Sequence, residues 1–359
     1  MSELASESST PSETLLDVRN LSLYLDTPDG EVQILDDVSF TVERSTTVGM
    51  IGESGSGKSM TALAVLGLLP PRARVTGEIR FRGTDLLAMS RAELARLRGT
   101  GISMIFQEPM TALDPVFTIG QQISQVLRSH RRVSRREARE KTIEMLDAVG
   151  IPDPARRCGE YPHQLSGGMR QRAMIAMALI GEPELLIADE PTTAVDITIQ
   201  AQLLDLLETL GRERGTSIML ISHDIGVVAE LCRRVVVLYA GQVVEATTTD
   251  ALLERPGHPY TSGLMWAVPR LGTRRQRLHA IRGRVPQPDQ LPTGCRFRPR
   301  CDFAVPGCAQ PIALAAVGGE GPEHDVRCRR ADELDLPGLV HDGAEADAEN
   351  APAVQGSGP

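Results

Sequence analysis

The chain has 359 residues, of which 41% are hydrophobic, so it can build a large domain with a smaller one beside it. Its net charge of −9 argues against nucleic acid as a partner of the chain as a whole. No run approaches the roughly 20 apolar residues that a membrane-spanning helix needs, and the polar start lacks the pattern of a signal peptide. We therefore expect a soluble, intracellular protein that reaches a membrane only through partner chains.

Two β-strands are predicted ahead of the first motif. Residues 1–14 are polar and are expected to be disordered, and residues 15–25 then alternate as a strand does. A turn at Asp29-Gly30 separates this strand from residues 32–42, which continue the β pattern. The chain is therefore predicted to open with an antiparallel β part.

A complete G-x-x-x-x-G-K-[ST] pattern follows from Gly52 to Ser59, after an apolar strand and before a helix-forming segment. Its glycines let the backbone curl so that N–H groups point at phosphate oxygens, and the helix N-terminus adds its positive dipole. Lys58 is predicted to reach the outer phosphates and the Ser59 hydroxyl to ligate Mg²⁺. The predicted nucleotide-binding residues of this loop are Gly52, Ser54, Gly55, Ser56, Gly57, Lys58, Ser59 and Met60. The alternative is a glycine-rich turn before an ordinary helix, which the strand–loop–helix context disfavours.

Three further apolar stretches are typical of buried strands, and a polar residue follows each of them. They are residues 102–106, 185–188 and 217–222, followed by Gln107, Asp189 and His223. Helical segments between the last two predict βαβ units and a mostly parallel sheet, and hence an α/β fold. Because ligands bind at the carboxyl ends of such strands, the three polar side chains are candidates for the nucleotide site.

The Asp189-Glu190 pair carries the predicted hydrolytic chemistry. Asp189 can hold Mg²⁺ against the phosphates, and Glu190 is placed to polarise the attacking water. A second anion site is predicted at Ser166-Gly167-Gly168, because these residues open a helix and offer bare N–H groups. One phosphate chain cannot occupy both helix starts of a compact monomer. We therefore expect a head-to-tail pair of such domains, in which each helix start covers the nucleotide of the other domain.

The order and spacing of these motifs over residues 15–250 resemble the ABC-type ATPases. The segments similar to Walker A, the signature motif and Walker B are Gly52–Ser59, Leu165–Met169 and Leu185–Glu190. The positions similar to the Q-loop glutamine, the D-loop and the switch histidine are Gln107, Ala194–Asp196 and His223. The resemblance implies a P-loop ABC-type ATPase domain, with a parallel sheet core, an antiparallel β part and a helical subdomain.

The same resemblance implies the roles of the individual residues. Glu190 would be the catalytic carboxylate, and His223 would contact and sense the γ-phosphate. Gln107 would contribute to Mg²⁺ and the water, and would signal toward a membrane partner. Asp196 joins the predicted nucleotide-site residues, as do Ser166, Gly167 and Gly168.

The family pattern fails at the position that stacks on adenine. The family usually has an aromatic residue near position 25, whereas this chain has Leu25, with Tyr24 on the opposite face of the strand. Tyr24 is the predicted adenine contact if a bulge re-aims it, and otherwise stacking is weak.

Four of the six cysteines lie close together near the C-terminus, at Cys295, Cys301, Cys308 and Cys328. Zinc sites usually bring cysteines in pairs two to four residues apart, whereas these four are separated by five, six and nineteen residues. Four thiolates can instead hold an iron–sulfur cluster, whose negative charge the neighbouring arginines would offset. We predict a 4Fe–4S cluster, with zinc and four buried free thiols as the alternatives.

The cysteine region resembles the C-terminal extension of ATP-binding subunits of oligopeptide and dipeptide permeases, which in some members holds a 4Fe–4S cluster. The similar segments are His258–Thr261, Gly283–Pro286, Gly294–Cys301 and, earlier in the chain, Gln107–Pro115 and Ser166–Ala178. The expected divisions are residues 1–14 (disordered), 15–255 (ABC ATPase domain), 256–332 (cysteine-containing extension) and 333–359 (disordered acidic tail).

These resemblances imply an ATPase subunit that powers peptide import from the cytoplasmic face of the cell membrane. The expected partners are a second, related but different ATPase chain, two polytopic permease subunits near residues 107–115 and, indirectly, an extracytoplasmic solute-binding protein. No nucleic acid is expected. The alternative function is that of a soluble ABC-type ATPase acting on nucleic acid or ribosomes. Such proteins carry two ATPase domains or a long insertion before the signature motif, and residues 60–165 contain no such insertion.

Overall fold

The computed structural model of the chain describes residues 14–28, 30–107, 112–192, 197–267, 281–318 and 323–339. The predicted disordered start, the D-loop with Asp196, and most of the acidic tail lie outside these residues. None of the helices in the described part is both long and apolar enough to cross a bilayer.

A first sheet of four strands is antiparallel throughout. Its strands are β1 (Thr14–Thr27), β2 (Gly30–Glu43), β4 (Arg74–Phe81) and β5 (Thr84–Asp85). Their spatial order is β2-β1-β4-β5, and β1 pairs with β2 from Thr14 opposite Glu43 to Thr27 opposite Gly30. The predicted β-hairpin at the start of the chain is therefore confirmed.

The second sheet has eight strands and carries the predicted motifs. Its strands are β3 (Thr47–Ile51), β6 (Ile102–Ile105), β7 (Leu185–Asp189), β8 (Ser217–Ser222), β9 (Arg234–Tyr239), β10 (Gln242–Thr248), β11 (Ala315–Ala316) and β12 (Asp325–Val326). Their order is β11-β12-β10-β9-β3-β8-β7-β6, with parallel pairing from β9 to β6. The predicted parallel α/β core is confirmed. The cysteine-containing extension adds β11 and β12 to this sheet by antiparallel pairing of β12 with β10.

Both faces of the second sheet are buried, each in its own hydrophobic cluster. Successive residues of a strand point to opposite faces, and in β7 Leu185 and Ile187 pack toward the antiparallel sheet. Leu186 and Ala188 pack against the cluster that the helices cover. Burial of both faces explains why this strand is apolar throughout instead of alternating.

Helices cover the sheet and form a subdomain. They span Lys58–Val65, Arg91–Leu97, Ile119–His130, Arg135–Ala148, Pro154–Arg157, Gly167–Leu179, Ile197–Arg214, Ile225–Leu231, Thr249–Glu254 and Pro259–Trp266. The helices Ile119–His130, Arg135–Ala148 and Gly167–Leu179 pack on one another and form the expected helical subdomain. Short 3₁₀ turns occupy Leu86–Ala88, Pro162–Gln164, Arg298–Arg300 and Pro306–Ala309.

Candidate active site

The glycine-rich loop joins β3 to the helix Lys58–Val65. Gly52 and Gly57 have φ angles of 155° and 106°, in the left-handed region that favours glycine. A Cβ atom at Gly52 would lie only 2.2 Å from the carbonyl oxygen of Leu238. Glycine at this position therefore lets the loop turn tightly over the end of the sheet.

The remaining residues of the loop differ in exposure. Ser54 and Gly55 are exposed, Ser59 and Met60 are half-buried, and Ser56 is buried. The N–H of Gly241 donates to the carbonyl oxygen of Ser56 at 2.8 Å, which ties the loop to the turn after β9. The hydrogen bond therefore fixes the loop at Ser56, while its tip at Ser54 and Gly55 stays exposed to solvent.

Lys58 lies inside the loop, with only 5% of its surface exposed. Its Nζ donates to the carbonyl oxygens of Gly52 at 2.7 Å and Glu53 at 3.1 Å. Burial lowers the pKa of Lys58, while the carboxylates of Glu190, Asp189 and Glu53 act in the opposite direction. The ammonium group is therefore held among main-chain carbonyls, close to both carboxylates of the predicted Walker B segment.

Asp189 ends β7 and is buried next to Ser59. The Ser59 side chain hydrogen-bonds to the Asp189 carboxylate. Burial raises the pKa of Asp189, while this hydrogen bond and the positive charge of Lys58 act in the opposite direction. Asp189 Oδ1 is buried without a hydrogen-bond partner in the part of the chain that the structure describes. A carboxylate oxygen and a hydroxyl are the oxygen ligands that Mg²⁺ prefers. The two residues therefore fit the predicted magnesium site.

Glu190 lies between two other predicted catalytic residues. Gln107 Nε2 donates to Glu190 Oε2 at 3.0 Å, and His223 Nδ1 lies 3.2 Å from Glu190 Oε1. Glu190 has a φ of 46°, and its N–H donates to the carbonyl oxygen of Ile221 at 2.9 Å. Only a few per cent of non-glycine residues adopt this left-handed conformation. The structure thus brings together three residues that are far apart in the sequence.

The predicted second anion site lies at the start of the helix Gly167–Leu179. Ser166 is its N-cap, and the Ser166 hydroxyl accepts a hydrogen bond of 3.3 Å from the N–H of Met169. Gly167 and Gly168 are the first two helical residues, where N–H groups have no partner within the helix. This helix start belongs to the helical subdomain.

Sequence analysis missed Gln171 on the same helix. Gln171 is only 1% exposed, and its side-chain amide donates to the carbonyl oxygen of Pro191, the residue after Glu190. The bond connects the signature helix to the catalytic turn. A single glutamine in a helix gives no sequence signal that it is buried.

Tyr24 sits at an irregularity of β1. The pairing of β1 with β2 shifts register between Leu23 and Tyr24, as a bulge would shift it. The guanidinium of Arg74 lies 3.9 Å from the centre of the Tyr24 ring, and Gln33 donates to the Tyr24 hydroxyl at 3.2 Å. One face of the ring thus carries a cation, and adenine stacking on Tyr24 stays a prediction.

The four C-terminal cysteines line one pocket together with Arg298, Arg329 and Arg330. All four are free thiols, and burial raises the pKa of Cys301 and of Cys328 to about 11. Among the described residues, however, no three His, Cys, Asp or Glu side chains are placed so that they could hold a metal ion. The structure therefore brings the four thiols to one place without forming a metal-ion site there.

Two family models match the chain in order. The ABC transporter model matches residues 35–193, and the model of the oligopeptide/dipeptide transporter C-terminal region matches residues 244–308. The first covers the loop, signature and Walker B segments described above, and the second reaches into the cysteine region.

Curated relatives match most of the chain. A protein of Brucella abortus strain 2308, named as a peptide import ATP-binding protein, is 49% identical over 306 residues, which is 85% of this chain and 92% of that protein. A protein of Brucella ovis with the same kind of name is 48% identical over 333 residues, which is 89% of this chain and 98% of that protein.

Solved structures of ABC cassettes share the fold. The dimeric bacterial cassette MJ0796 has a TM-score of 0.60 and 27% identity, over 66% of this chain and 99% of that one. The cassette cbiO1 of Clostridium perfringens has a TM-score of 0.58 and 27% identity, over 67% and 90%. By this similarity and its motifs, the chain belongs to the ATP-binding subunits of oligopeptide/dipeptide ABC transporters and is an ABC-type ATPase.

Proposed function

We propose that this chain hydrolyses ATP to power the import of oligopeptides or dipeptides through a membrane ABC transporter. The proposal is carried by the cluster of Gln107, Glu190 and His223 beside Asp189, in a chain whose C-terminal region matches peptide transporters. Its relatives are named for peptide import, and MJ0796 has also been solved in a post-hydrolysis state with ADP and Pi. These observations disfavour the alternative of a soluble ATPase acting on nucleic acid or ribosomes.

The residues divide the hydrolytic work between binding and proton transfer. Lys58 and the N–H groups of the loop bind the outer phosphates, and Ser59 and Asp189 would hold Mg²⁺ together with Gln107. When bound, the metal ion neutralises the charge on the phosphates. Glu190 orients the attacking water and accepts a proton from it. His223, 65% exposed and in contact with Glu190, is free to reach the γ-phosphate.

The site is completed by a second ATPase chain. Ser166, Gly167 and Gly168 bind the nucleotide of the facing ATPase chain, and Asp196 contributes to the contact between the two. The dimeric form of MJ0796 supports this arrangement. The partner is a related but different chain, as the resemblance to two-ATPase permeases implies.

Two permease subunits dock near Gln107. Phe106, which precedes Gln107, is 40% exposed, and Val116 and Phe117 further along the chain are 73% and 49% exposed. This segment of the chain therefore presents apolar side chains to solvent. Such exposed apolar side chains suit a surface that contacts a membrane subunit. Gln107, which follows Phe106 in the chain, is hydrogen-bonded directly to Glu190. The chain thus lies peripherally on the cytoplasmic face of the membrane, and a solute-binding protein outside delivers the peptide.

We propose further that the four cysteines of the pocket would hold a 4Fe–4S cluster. Four thiols are the donor set of such clusters, and main-chain N–H groups of Phe297 and Phe303 are hydrogen-bonded to Cys295 and Cys301. A cluster is larger than one ion, so its thiolates stand farther apart than those of a zinc site. Among the described residues no three His, Cys, Asp or Glu side chains are placed to hold a single metal ion, which therefore counts more against zinc than against a cluster.

The test of this function is purification in mild detergent from native membranes, followed by reconstitution into liposomes. Two permease subunits and a second ATPase should co-purify, and Mg-ATP inside the vesicles should drive uptake of peptide delivered by the binding protein. The same assembly with Glu190→Gln should form but not transport. Recovery with ribosomes or DNA and without permease chains would refute the import function.

A further inference from the structure

Two residues of the C-terminal extension hold one residue of the phosphate-binding loop. Arg300 makes two parallel contacts with the Glu53 carboxylate, Nη1 to Oε2 at 2.5 Å and Nη2 to Oε1 at 3.0 Å. The N–H of Glu53 donates to the Tyr260 hydroxyl at 2.8 Å. Glu53 follows Gly52, the first residue of the loop, so the extension contacts the loop where the loop begins.

Burial makes these contacts specific. The Arg300 side chain is 6% exposed and Tyr260 is fully buried. Arg300 Nε donates in addition to the carbonyl oxygen of Arg282 at 2.7 Å, which fixes the guanidinium plane. The Tyr260 ring packs against Phe297, with 5.4 Å between ring centres. A bidentate ion pair between such fixed groups adds geometric specificity as well as energy.

Glu53 passes this constraint on to the phosphate-binding groups. Its carbonyl oxygen accepts hydrogen bonds of 3.1 Å from Lys58 Nζ and 3.1 Å from the N–H of Ser56. The peptide group before the Glu53 Cα is therefore held by the extension, through the Glu53 N–H. The peptide group after it is held by the loop itself, through the Glu53 carbonyl. A shift of Glu53 would displace both Lys58 and the turn that presents the loop N–H groups.

We infer that Arg300 and Tyr260 are positioning residues for ATP binding, which makes the C-terminal extension a structural part of the nucleotide site. They act through Glu53, by holding the phosphate loop in the shape that binding requires. This adds to the family's motif residues a pair that lies outside the matched ABC domain segment, residues 35–193.

The test measures KM for ATP, kcat and the melting temperature of full-length variants. Arg300→Ala and Tyr260→Phe should each raise KM for ATP about tenfold, because each removes one of the two contacts that hold Glu53 and the loop in the binding shape, with a smaller change in kcat. Arg300→Lys should recover part of the loss, since it keeps the charge but not the two parallel bonds. Arg284→Ala, an exposed arginine of the same extension, is the matched control and should match the wild type.

A double-mutant cycle separates positioning from mere folding. If Arg300 acts through Glu53, Arg300→Ala should add nothing to the KM effect of Glu53→Ala. Additive effects, or lowered melting temperatures with an unchanged KM for ATP, would overturn the inference. If Arg300→Ala does not fold, Tyr260→Phe decides the question, because it removes only the hydroxyl that Glu53 contacts.

Discussion

Gln107 and Glu190 are 83 residues apart in the sequence, yet the Gln107 amide donates to the Glu190 carboxylate at 3.0 Å. The contact arises because β6 and β7 are parallel neighbours, so the residues that follow them meet at the same edge of the sheet. Gln107 directly follows the exposed apolar residue Phe106. A change at the proposed permease surface can therefore reach the catalytic carboxylate through one hydrogen bond.

Glu190→Gln should lower kcat for ATP hydrolysis by at least about a hundredfold, because an amide cannot accept the proton of the attacking water. ATP binding should persist, so the variant, mixed with its partner ATPase chain, should accumulate as an ATP-bound dimer. Steady-state hydrolysis and size-exclusion chromatography with ATP measure the two effects. Glu144→Gln, an exposed glutamate of the helix Arg135–Ala148, serves as the control. Retained hydrolysis in Glu190→Gln would exclude Glu190 as the base.

Asp189→Asn should raise the melting temperature of the nucleotide-free protein. Burial raises the pKa of Asp189 above its value in the unfolded chain, so the folded state binds the proton more tightly. The contribution of this group to stability therefore falls as pH rises through the raised pKa, and at neutral pH the buried charge is a cost. The amide removes that cost.

The same variant should lose the stabilisation that Mg-ATP gives, since stabilisation by a ligand follows its affinity. Thermal unfolding with and without Mg-ATP measures both changes, and Asp205→Asn on an exposed helix face controls for loss of charge. A lower melting temperature for ligand-free Asp189→Asn would contradict the argument.

Gln171→Leu should lower the free energy of unfolding by about 1–3 kcal/mol, because the buried Pro191 carbonyl loses its donor. Hydrolysis should fall as well, since Pro191 follows Glu190 directly. Urea unfolding and ATPase rates measure the two effects. Gln125→Leu, at an exposed position of the helix Ile119–His130, should change neither by a similar amount.

Cys301→Ser should abolish iron and acid-labile sulfide in protein purified without oxygen, together with the visible absorption of an iron–sulfur cluster. Cys158→Ser, outside the pocket, should leave both in place. Zinc in place of iron and sulfide, or no metal in the wild type, would refute the proposed cluster.

The metal-free thiols of this pocket should resist alkylation. Burial raises the pKa of Cys301 and of Cys328 to about 11, so neither is a thiolate at about pH 8. Iodoacetamide should label both slowly in the folded protein and much faster after denaturation, where thiols titrate near their ordinary pKa of about 8.5. Mass spectrometry of the labelled peptides gives the rates, and fast labelling in the folded state would show that the pocket is open.

Lys58, Asp189 and His223 could be selected from the sequence because each of them follows a recognisable signal. Lys58 belongs to a glycine-rich loop, and Asp189 and His223 end apolar strands, whose carboxyl ends meet in a parallel sheet. The contact of Arg300 with Glu53 could not be predicted, because 247 residues separate them and neither belongs to a periodic pattern. The surroundings of Tyr24 depend on a register shift, which side-chain alternation alone does not reveal.

The pairing of β12 with β10 has a mechanical consequence. Val326 and Asp325 lie opposite Glu245 and Ala246, and the N–H of Arg327 donates to the Val244 carbonyl at 2.8 Å. The extension therefore cannot swing away from the cassette without breaking backbone hydrogen bonds. If another subunit displaces the cysteine-bearing extension, β12 therefore moves β10 with it. The displacement then passes through the sheet to the strands beside the nucleotide site.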